Sequence, residues 1–327
     1  MRIFITGATG FIGRHLVRTL ADRGDTVHAL CRQSSAMAAL SGADVQVFRG
    51  DILDHASIRR AMRGCDHVFH LAAYARNWAK DKRTFFTSNV DGTKKVLDAA
   101  RELGARKVVY TSTELTFEPS NGVPTDETVQ RSTPFFTAYE ESKHAAEKLV
   151  RSYVEQGLDI SIVHPTRVFG PGLLSEANSV TIMIQLYLEG KWRLVPGDGE
   201  SVGNYAFVND VAHGHVRALE SGKAGESYIL GGENISFNGF FDLLADISKR
   251  RYHMFHLSGA LAMSFSRIEA LRGRLFNRYP LITPEWTRLF LTDWACSPAK
   301  AQRELGYSVT PLRDALEKTV RWLQASR

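Results

Sequence analysis

Apolar and polar positions alternate along the first half of the chain in two different rhythms. Short continuous apolar runs are typical of buried strands, whereas apolar residues three and four positions apart are typical of helices. The pattern predicts strands at 3–6, 26–30, 45–48, 67–71, 107–111 and 160–163. It predicts intervening helices at 11–23, 57–63, 89–103 and 139–156. This alternation indicates an α/β fold of the Rossmann type, a doubly wound parallel sheet covered by helices on both faces.

The pattern becomes less regular after residue 165. Turn-rich stretches separate further short helices, which we predict at 180–189, 208–220, 237–248, 284–290, 298–305 and 312–323. Asn209 and Asp210 are placed to cap the helix at 208–220, because both side chains accept hydrogen bonds from helical amides. We therefore expect a Rossmann domain over 1–165, with the segment around 205–230 packing back onto it. A smaller, mainly helical domain would cover 166–327.

The loop after the first predicted strand has the sequence GATGFIG at positions 7–13 and leads directly into the first helix. Gly7 permits a tight turn, Gly10 lets the backbone approach a pyrophosphate, and Gly13 permits close helix–strand packing. The helix N-terminus adds amide donors and a favourable dipole. We predict a dinucleotide-binding loop whose contacting residues are Gly7, Thr9, Gly10, Phe11, Ile12 and Gly13.

The end of the second predicted strand bears on which dinucleotide is bound. An acidic residue about 20 positions past the glycines would hydrogen-bond the adenosine ribose of NAD. This stretch has no Asp or Glu, but it has Arg32, followed by the hydroxyls of Ser34 and Ser35. A guanidinium can pair with a 2′-phosphate through charge-assisted hydrogen bonds. We therefore favour NADP(H); NAD(H) is the alternative if Arg32 is only a solvated surface charge.

Two further strand ends carry residues suited to the same cofactor. Asp51 and Ile52 follow the third strand, where they would place a carboxylate near the adenine amino group and an apolar wall beside the ring. Leu71, Ala72 and Ala73 follow the fourth strand, and short side chains there would let the cofactor pass close to the backbone.

Tyr139 and Lys143 lie four positions apart in a predicted helix, which places them on one face. An unperturbed tyrosine has a pKa of about 10. A nearby ammonium, together with the positive charge of an oxidised nicotinamide, lowers that pKa by favouring the phenolate. Tyr139 would then exchange a proton with a substrate oxygen at neutral pH. The fifth strand ends on YTST at 110–113, where a hydroxyl would hold the same oxygen. Such a pair also occurs by chance on surface helices, but the preceding glycine loop favours catalysis.

The chain resembles the extended short-chain dehydrogenase/reductase family in an ordered set of segments: GATGFIG at 7–13, HLAA at 70–73, NVDGT at 89–93, YTST at 110–113, YEESK at 139–143 and PTRVFGPG at 165–172. The resemblance implies a catalytic triad of Thr113, Tyr139 and Lys143, with Ser112 as the runner-up for the hydroxyl. It implies that Lys143 also bonds the nicotinamide ribose. The remaining implied cofactor contacts are Asn89, Thr111, Pro165 and Val168, of which the last two flank the nicotinamide.

Members of that family act as carbonyl reductases, as hydroxysteroid-type dehydrogenases, or as sugar-nucleotide epimerases and dehydratases. Sugar dehydratases place a Glu two residues after the catalytic Thr, where this chain has Leu115, so we do not expect dehydration. Nucleotide-sugar enzymes usually carry an Arg where this chain has Asn204, although Arg167 or Arg193 could replace it. We favour an oxidoreductase that transfers hydride to or from a carbonyl or secondary alcohol, like the dihydroflavonol 4-reductase-like and 3β-hydroxysteroid dehydrogenase-like branches.

Aromatic residues are dense in the segments that should surround the site, either as ordinary packing or as the lining of an apolar pocket. They are Tyr74, Trp78, Phe85, Phe86, Phe117, Phe135, Phe136 and Phe169. If some line the pocket, the substrate has an apolar or aromatic body. Two other functions stay open: a nucleotide-sugar epimerase that uses the same triad, and a non-catalytic NADP(H)-binding sensor or scaffold, which an intact triad disfavours.

Composition excludes several other classes. The chain has 41 Lys and Arg against 35 Asp and Glu, a formal net charge of +6, but no basic run or motif typical of nucleic-acid binding. Three dispersed cysteines predict no disulfide framework, and the histidine spacing predicts no metal site. The first residues lack the features of a signal peptide, so we expect a cytoplasmic protein.

The expected partners are a small-molecule substrate and a second copy of the chain. The family resemblance implies a homodimer built on the helices at 89–103 and 139–156. The segment 253–271 is too short and too polar to span a bilayer. We favour ordinary packing for it, with peripheral contact at a membrane surface as the alternative.

Overall fold

The computed structural model describes residues 1–34, 40, 45–76, 78–276, 278, 280 and 282–326. Within these ranges the strands are β1 Arg2–Thr6, β2 Thr26–Cys31, β3 Val45–Arg49, β4 His67–His70, β5 Lys107–Thr111, β6 Ile160–Pro165, β7 Arg167–Phe169, β8 Leu194–Pro196, β9 Val202–Phe207, β10 Ser227–Leu230, β11 Glu233–Ser236 and β12 Phe255–Leu257. The helices are α1 Phe11–Asp22, α2 His55–Met62, α3 Arg83–Phe86, α4 Gly92–Glu102, α5 Ala138–Glu155, α6 Ser179–Leu188, α7 Val208–Ser221, α8 Phe237–Ser248, α9 Gly259–Phe276, α10 Pro284–Phe290, α11 Ala299–Leu305 and α12 Leu312–Ala325.

The large sheet has the strand order β10-β6-β5-β4-β1-β2-β3, and every neighbouring pair in it is parallel. Its first six strands along the chain are the six predicted from the apolar runs, with ends that differ by at most two residues. The chain turns from one half of the sheet to the other between β1 and β4, which is where doubly wound folds bind ligands. The predicted α/β fold class is confirmed.

The large sheet is buried on both faces because its strands carry apolar side chains at successive positions. Ile3 and Ile5 of β1 face a core that contains Leu16 of α1, while Phe4 between them faces a core that contains Val96 of α4. All five side chains are fully buried. A strand that is apolar at every position therefore holds the two helical layers together.

The large sheet is completed by residues far along the chain, because β10 pairs with β6 in the register Ser227↔Ile162 to Leu230↔Pro165. The sequence pattern did not predict this four-residue strand. The helix α7 before it packs against α1. The predicted cap of α7 is wrong: the helix begins after Phe207, and the Asp210 carboxylate instead accepts hydrogen bonds from the Thr310 amide and hydroxyl.

The remainder of the chain forms a second layer with strands that the sequence did not predict. In the described residues, β11, β9 and β7 form a small sheet in which β7 runs parallel to β9 and β11 antiparallel to it. Helices α6, α8 and α12 cover it through an aromatic core that includes Phe169, Phe207 and Phe240. Since β7 follows β6 after a single residue, this layer is joined directly to the carboxyl edge of the large sheet.

Candidate active site

The glycine loop between β1 and α1 is closed against neighbouring backbone. Gly7 has a φ of +78°, and a Cβ there would lie 2.8 Å from the Ala72 amide nitrogen. A Cβ at Gly13 would lie 2.1 Å from the Gly7 carbonyl oxygen, closer than any real contact. The Gly10 amide donates to the Gly7 carbonyl at 2.9 Å and closes the turn. Only glycine fits at Gly7 and Gly13, so this backbone is shaped for a ligand that approaches closely.

The N-terminus of α1 is suited to an anionic group. No described side chain caps this helix, and its first turn contains no acidic residue. Its first amides therefore lack side-chain acceptors, and the helix dipole adds positive potential there. Thr9 and Ile12 are partly exposed beside the loop, whereas the Phe11 side chain is buried and can offer only its amide. These features fit a dinucleotide pyrophosphate.

The other strand ends predicted to contact the cofactor lie along the same edge of the sheet. Leu71, Ala72 and Ala73 follow β4 beside the glycine loop and are at least partly exposed. Asp51 follows β3 and is partly exposed, with one oxygen accepting from the Leu53 amide at 2.9 Å. Ile52 packs on the start of α4, where a Cβ at Gly92 would lie 2.7 Å from its side chain.

Arg32 is exposed directly after β2. Its carbonyl accepts a hydrogen bond from the Arg49 guanidinium at 2.9 Å, so a second exposed arginine, which sequence reasoning missed, lies beside it on β3. Ser34 is exposed in the turn that follows, and Ser35 lies outside the described residues. Two guanidinium groups at one strand end make this position electropositive.

Asn89 lies in a π-helical turn, Thr87–Asp91, that joins α3 and α4 into one longer helix. The predicted helix at 89–103 thus extends further toward the N-terminus. The buried Asn89 amide accepts from the Tyr74 amide at 2.7 Å and donates to the Ser142 hydroxyl at 2.9 Å. It therefore ties the loop after β4 to α5, and its side chain is engaged with protein groups. Widened turns of this kind often occur at functional sites.

Lys143 is buried on α5 and bonds two groups at the end of β5. Its ammonium donates to the Tyr110 hydroxyl and to the Thr111 carbonyl, each at 2.7 Å. Burial lowers the pKa of Lys143 to about 7, while the negative charge of Glu147 one turn along α5 opposes this shift. The Thr111 side chain points elsewhere, to His215 at 3.0 Å.

A chain of buried hydrogen bonds continues from Tyr110 to the glycine loop. The Tyr110 hydroxyl bonds Thr93, Thr93 meets His70 Nε2 at 2.9 Å, and His70 Nδ1 meets the Thr6 hydroxyl at 2.7 Å. The single hydroxyl proton of Thr93 goes to the Asn89 carbonyl at 2.6 Å. Thr93 must therefore accept from both other partners.

This assignment fixes the protonation of His70. Burial lowers the pKa of His70 to about 3, so the ring is neutral and carries its proton on Nε2. Its Nδ1 then accepts from the Thr6 hydroxyl, which in turn accepts from the Ala72 amide at 3.2 Å. Lys143, the loop after β4 and the strand below the glycine loop are thus joined by two series of hydrogen bonds that converge on Thr93.

Tyr139 lies at the start of α5, half-buried and hydrogen-bonded with Thr113. The predicted lowering of its pKa relies partly on the charge of an oxidised cofactor, and the protein groups alone shift the pKa in the opposite direction. Burial raises the pKa of Tyr139, and the negative charge of Glu114 raises it further, while the hydrogen bond with Thr113 opposes the shift. The sequence pattern could not show this burial. The phenol is therefore protonated at neutral pH, the state required of a proton donor.

Thr113 is held by its neighbours at the end of β5. Its hydroxyl oxygen accepts from the Leu115 amide at 3.4 Å, and its proton goes to the Glu114 carboxylate at 3.0 Å. Burial raises the pKa of Glu114 to about 7, and Arg167 acts in the opposite direction. Glu114 was missed as a site residue because the sequence shows an acidic side chain but not its burial. The protonation state of the Glu114 carboxyl determines how strongly it holds the proton of the Thr113 hydroxyl.

Ser112, the runner-up for the catalytic hydroxyl, is committed elsewhere. Its hydroxyl donates to Glu147, a buried carboxylate on α5. His164 at the end of β6 lies 3.6 Å from the same carboxylate and 3.2 Å from the Thr113 carbonyl. Burial lowers the pKa of His164. Ser112 therefore ties the end of β5 to α5 through Glu147. Thr113 is the hydroxyl beside Tyr139.

A buried ion pair includes Glu140, the residue that follows Tyr139 in α5. The Arg131 guanidinium lies 3.0 Å from the Glu140 carboxylate, and both side chains are almost completely buried. Arg131 also donates to the carbonyls of Leu115 and Phe117 and lies 4.6 Å from the ring of Phe135. This pair, which the sequence pattern gave no reason to select, clamps the turn that carries Thr113 to the start of α5.

The segment after β6 contains the remaining predicted residues. Pro165 ends β6 and Val168 lies in β7, and both are buried. Asn204 is buried, with its oxygen accepting from Thr166 and from the Gly232 amide. Its amide group donates to nearby carbonyl oxygens. Asn204 is thus fully occupied in holding β7, β9 and β11 together.

The two arginines considered as replacements at the Asn204 position differ in their surroundings. Arg193 donates to the Gly190 carbonyl and lies over the ring of Tyr252 at 4.2 Å. Arg167 bonds the Tyr205 hydroxyl at 3.2 Å and lies between aromatic rings. Only Arg167 shifts the pKa of the site carboxylate Glu114.

The chain matches a family model across residues 3–231, and that family is the NAD-dependent epimerase/dehydratase family. The chain belongs to this family. A Synechocystis protein assigned as a dihydroflavonol 4-reductase is 32% identical, with 98% of this chain and 94% of that protein covered. Sterol demethylase protein B of Methylococcus capsulatus is 30% identical, with 99% and 98% covered. The crystal structure of gox2253 has a TM-score of 0.85 and 32% identity, with 99% and 98% covered.

Membership of the epimerase/dehydratase family confirms the predicted family, and the chain is an NAD(P)-dependent oxidoreductase. The aromatic residues of this family member divide into two groups. Phe85 and Phe169 are buried, and Phe117 lies on His164 at 4.5 Å. Phe86 is 37% exposed, and the others are partly exposed: Tyr74, Trp78, Phe135 and Phe136.

Proposed function

We propose that the protein is an NADP(H)-dependent reductase of a carbonyl group on an apolar or aromatic substrate, with Tyr139 as the proton donor. The observation that carries this proposal is the half-buried, protonated phenol beside Thr113 and one helical turn from Lys143. The names of two similar proteins, a dihydroflavonol 4-reductase and a sterol demethylase protein B, support a substrate with a large apolar body.

When bound, the nicotinamide cofactor would supply the hydride, held by the glycine loop at Gly7 and Gly13. Tyr139 would donate its proton to the substrate oxygen as negative charge develops there. Below the pKa of Glu114 the neutral carboxyl holds the Thr113 proton less strongly, so Thr113 would donate more readily to that oxygen. Above this pKa, Thr113 is committed to the carboxylate. Reduction should therefore become faster as the pH falls through about 7.

The test is reduction of aromatic ketones, aldehydes and ketosteroids, followed by NADPH consumption. Tyr139→Phe should lower kcat by at least about a hundredfold, with cofactor affinity by calorimetry unchanged. Tyr153→Phe is the matched control, since Tyr153 lies on the same helix and bonds Asp98 instead. Unchanged turnover in Tyr139→Phe would show that the phenol is not the acid. Conversion of a nucleotide-sugar without net cofactor change would favour an epimerase.

The preference for NADP(H) rests on Arg32 and Arg49. Arg32→Ala and Arg49→Ala should each lower kcat/KM for NADPH by roughly tenfold, the size of a charge-assisted hydrogen bond, with little effect on NADH. Arg59→Ala, an exposed arginine on α2, serves as the control. Equal losses with both cofactors would mean that these arginines do not contact the 2′-phosphate.

A further inference from the structure

The outer face of α9 carries an unusual concentration of exposed apolar side chains. On an α-helix these positions fall within an arc of about 140°. Each is between 47% and 69% exposed: Leu261, Phe265, Ile268, Leu271, Leu275 and Phe276. The opposite side of the helix is buried, at Ala262, Ser266 and Glu269. The helix therefore lies with one side on the protein and presents an apolar stripe to its surroundings.

Two further exposed apolar side chains lie on the strand pair that comes before α9 in the chain. Phe255 of β12 lies opposite Leu194 of β8, and they are 55% and 52% exposed. Together with the α9 stripe they account for eight of the fifteen large apolar side chains that are exposed among the described residues. We name this the α9 surface. A concentration of exposed apolar side chains is typical of an interaction site in a folded protein.

The stretch of sequence that contains α9 is richer in basic than in acidic residues. Between 249 and 291 the sequence has eight Lys and Arg against two Asp and Glu, and the rest of the chain has 33 of each. Arg267, Arg272 and Arg278 are exposed. Glu269, one of the two acidic residues, is paired with Arg272 at 2.9 Å. Arg272 lies within the arc of the apolar positions and Arg267 lies beside it, so the exposed face is both apolar and cationic. Such a face suits a surface that is itself apolar and anionic.

We propose that the α9 surface docks onto an anionic lipid bilayer, with α9 parallel to the membrane plane. A helix with an apolar stripe and basic borders is held at the interface by burial of the stripe and by attraction to acidic headgroups. A second copy is a poorer occupant, because two-fold contact would bring the same basic residues face to face. None of the described helices has the length and apolar content that crossing a bilayer requires.

The α9 surface is connected to the candidate active site through one helix. α10 packs against α9, and the chain after α10 continues to Trp294. The Trp294 ring is buried, 6.4 Å from the ring of Phe136 and 5.5 Å from the Arg131 guanidinium. If the proposed reductase activity is correct, docking would place its entrance near substrates dissolved in the membrane. Docking itself does not depend on that activity.

The test is flotation of the purified full chain with vesicles of phosphatidylcholine, with and without phosphatidylserine. We expect binding to the mixed vesicles that weakens as salt is added. The double change Phe265→Ser/Ile268→Ser should lower the partition coefficient by at least about tenfold. Arg267→Gln and Arg278→Gln should each lower it by about fivefold. Val123→Ser and Val129→Ser, at exposed valines elsewhere, are the matched controls and should bind like the parent.

Circular dichroism and light scattering complete the experiment. All the changed side chains are exposed, so the variants should keep the helical content and melting temperature of the parent. Absence of flotation with mixed vesicles would overturn the proposal, as would equal losses in the valine controls. A dimeric parent that floats with neither vesicle and becomes monomeric in Phe265→Ser/Ile268→Ser would identify the surface as a contact between copies instead. Neither outcome bears on turnover of a soluble substrate.

Discussion

The buried carboxyl of Glu114 should make the protein less stable as the pH rises. The usual pKa of the side chain is 4.5, and in the folded protein burial raises the pKa of Glu114 to about 7. Between these values the unfolded chain releases the proton and the folded chain retains it. The free energy of unfolding then falls by about 1.4 kcal/mol for each pH unit. Over this range the free energy of unfolding falls by about 3 kcal/mol in total, and it is not regained above pH 7.

Glu114→Gln removes this ionisation while keeping the shape and the acceptor for Thr113. We expect the variant to match the parent at pH 5 within about 1 kcal/mol and to exceed it at pH 8 by about 3 kcal/mol. For a chain of 327 residues this corresponds to a rise in melting temperature of about 4 °C at pH 8. The assay is thermal unfolding of both proteins across pH 5 to 8, with the difference in melting temperature plotted against pH.

Glu141→Gln is the control, because Glu141 is an exposed carboxylate in the same helix as Tyr139. Its difference from the parent should not change with pH. A Glu114→Gln difference that is equally flat would refute the reasoning, because the carboxyl would then titrate alike in the folded and unfolded chains. The same variant should also reduce the pH dependence of reduction near pH 7, because the Thr113 proton would no longer be claimed by a carboxylate. The dependence that remains would come from Lys143, whose pKa is also about 7.

Three further changes test other parts of the site. Tyr110→Phe removes an acceptor of the catalytic ammonium and should lower kcat/KM for reduction by about tenfold, measured at fixed cofactor. Gly13→Ala places a methyl group against the Gly7 carbonyl and should weaken cofactor binding by about tenfold or more, measured by calorimetry. Arg131→Met leaves Glu140 buried without its partner and should destabilise by about 3–5 kcal/mol, measured by chemical unfolding. The double change Arg131→Met/Glu140→Gln should recover much of that loss.

Each of these predictions has a contrary result. Full activity in Tyr110→Phe would mean that the Thr111 carbonyl alone positions the lysine. Unchanged affinity in Gly13→Ala would mean that the loop can move without loss of the cofactor site. If the double change were as unstable as Arg131→Met, the cost would come from lost packing on Phe135 and not from the unpaired charge.

The large sheet could be predicted from sequence because its signals are local. Each strand of β1 to β6 is a short apolar run, and the glycine positions of the GATGFIG loop predict its tight turn. β10 was not predicted because it forms by pairing with the free edge of β6, which lies far away in the sequence. The strands of the small sheet are three to six residues long, and their apolar residues are shared with helices of the second layer.

The candidate site residues could be selected from the sequence, but their electrostatics could not be predicted. Tyr139 and Lys143 can be selected by their spacing. The direction of the Tyr139 pKa shift depends instead on burial and on Glu114, and the residues next to Glu114 in the sequence do not show that it is buried. For the same reason, the sequence favoured ordinary packing of 253–271 and left membrane contact as the alternative. A helix with a mixture of apolar and basic residues is typical of ordinary packing, and only the fold shows which of its faces is covered by the rest of the protein.

The pairing of β10 with β6 also has a consequence for synthesis on the ribosome. The edge of β6 at Ile162 has no partner until Ser227 has emerged, 65 residues later. At ordinary rates of translation this takes roughly 3 to 13 s, during which an apolar strand edge is open to other chains. Grafting the second layer of a relative onto this scaffold would have to retain α7 and β10. A cut at residue 165 would leave the nascent sheet permanently unfinished and prone to aggregate.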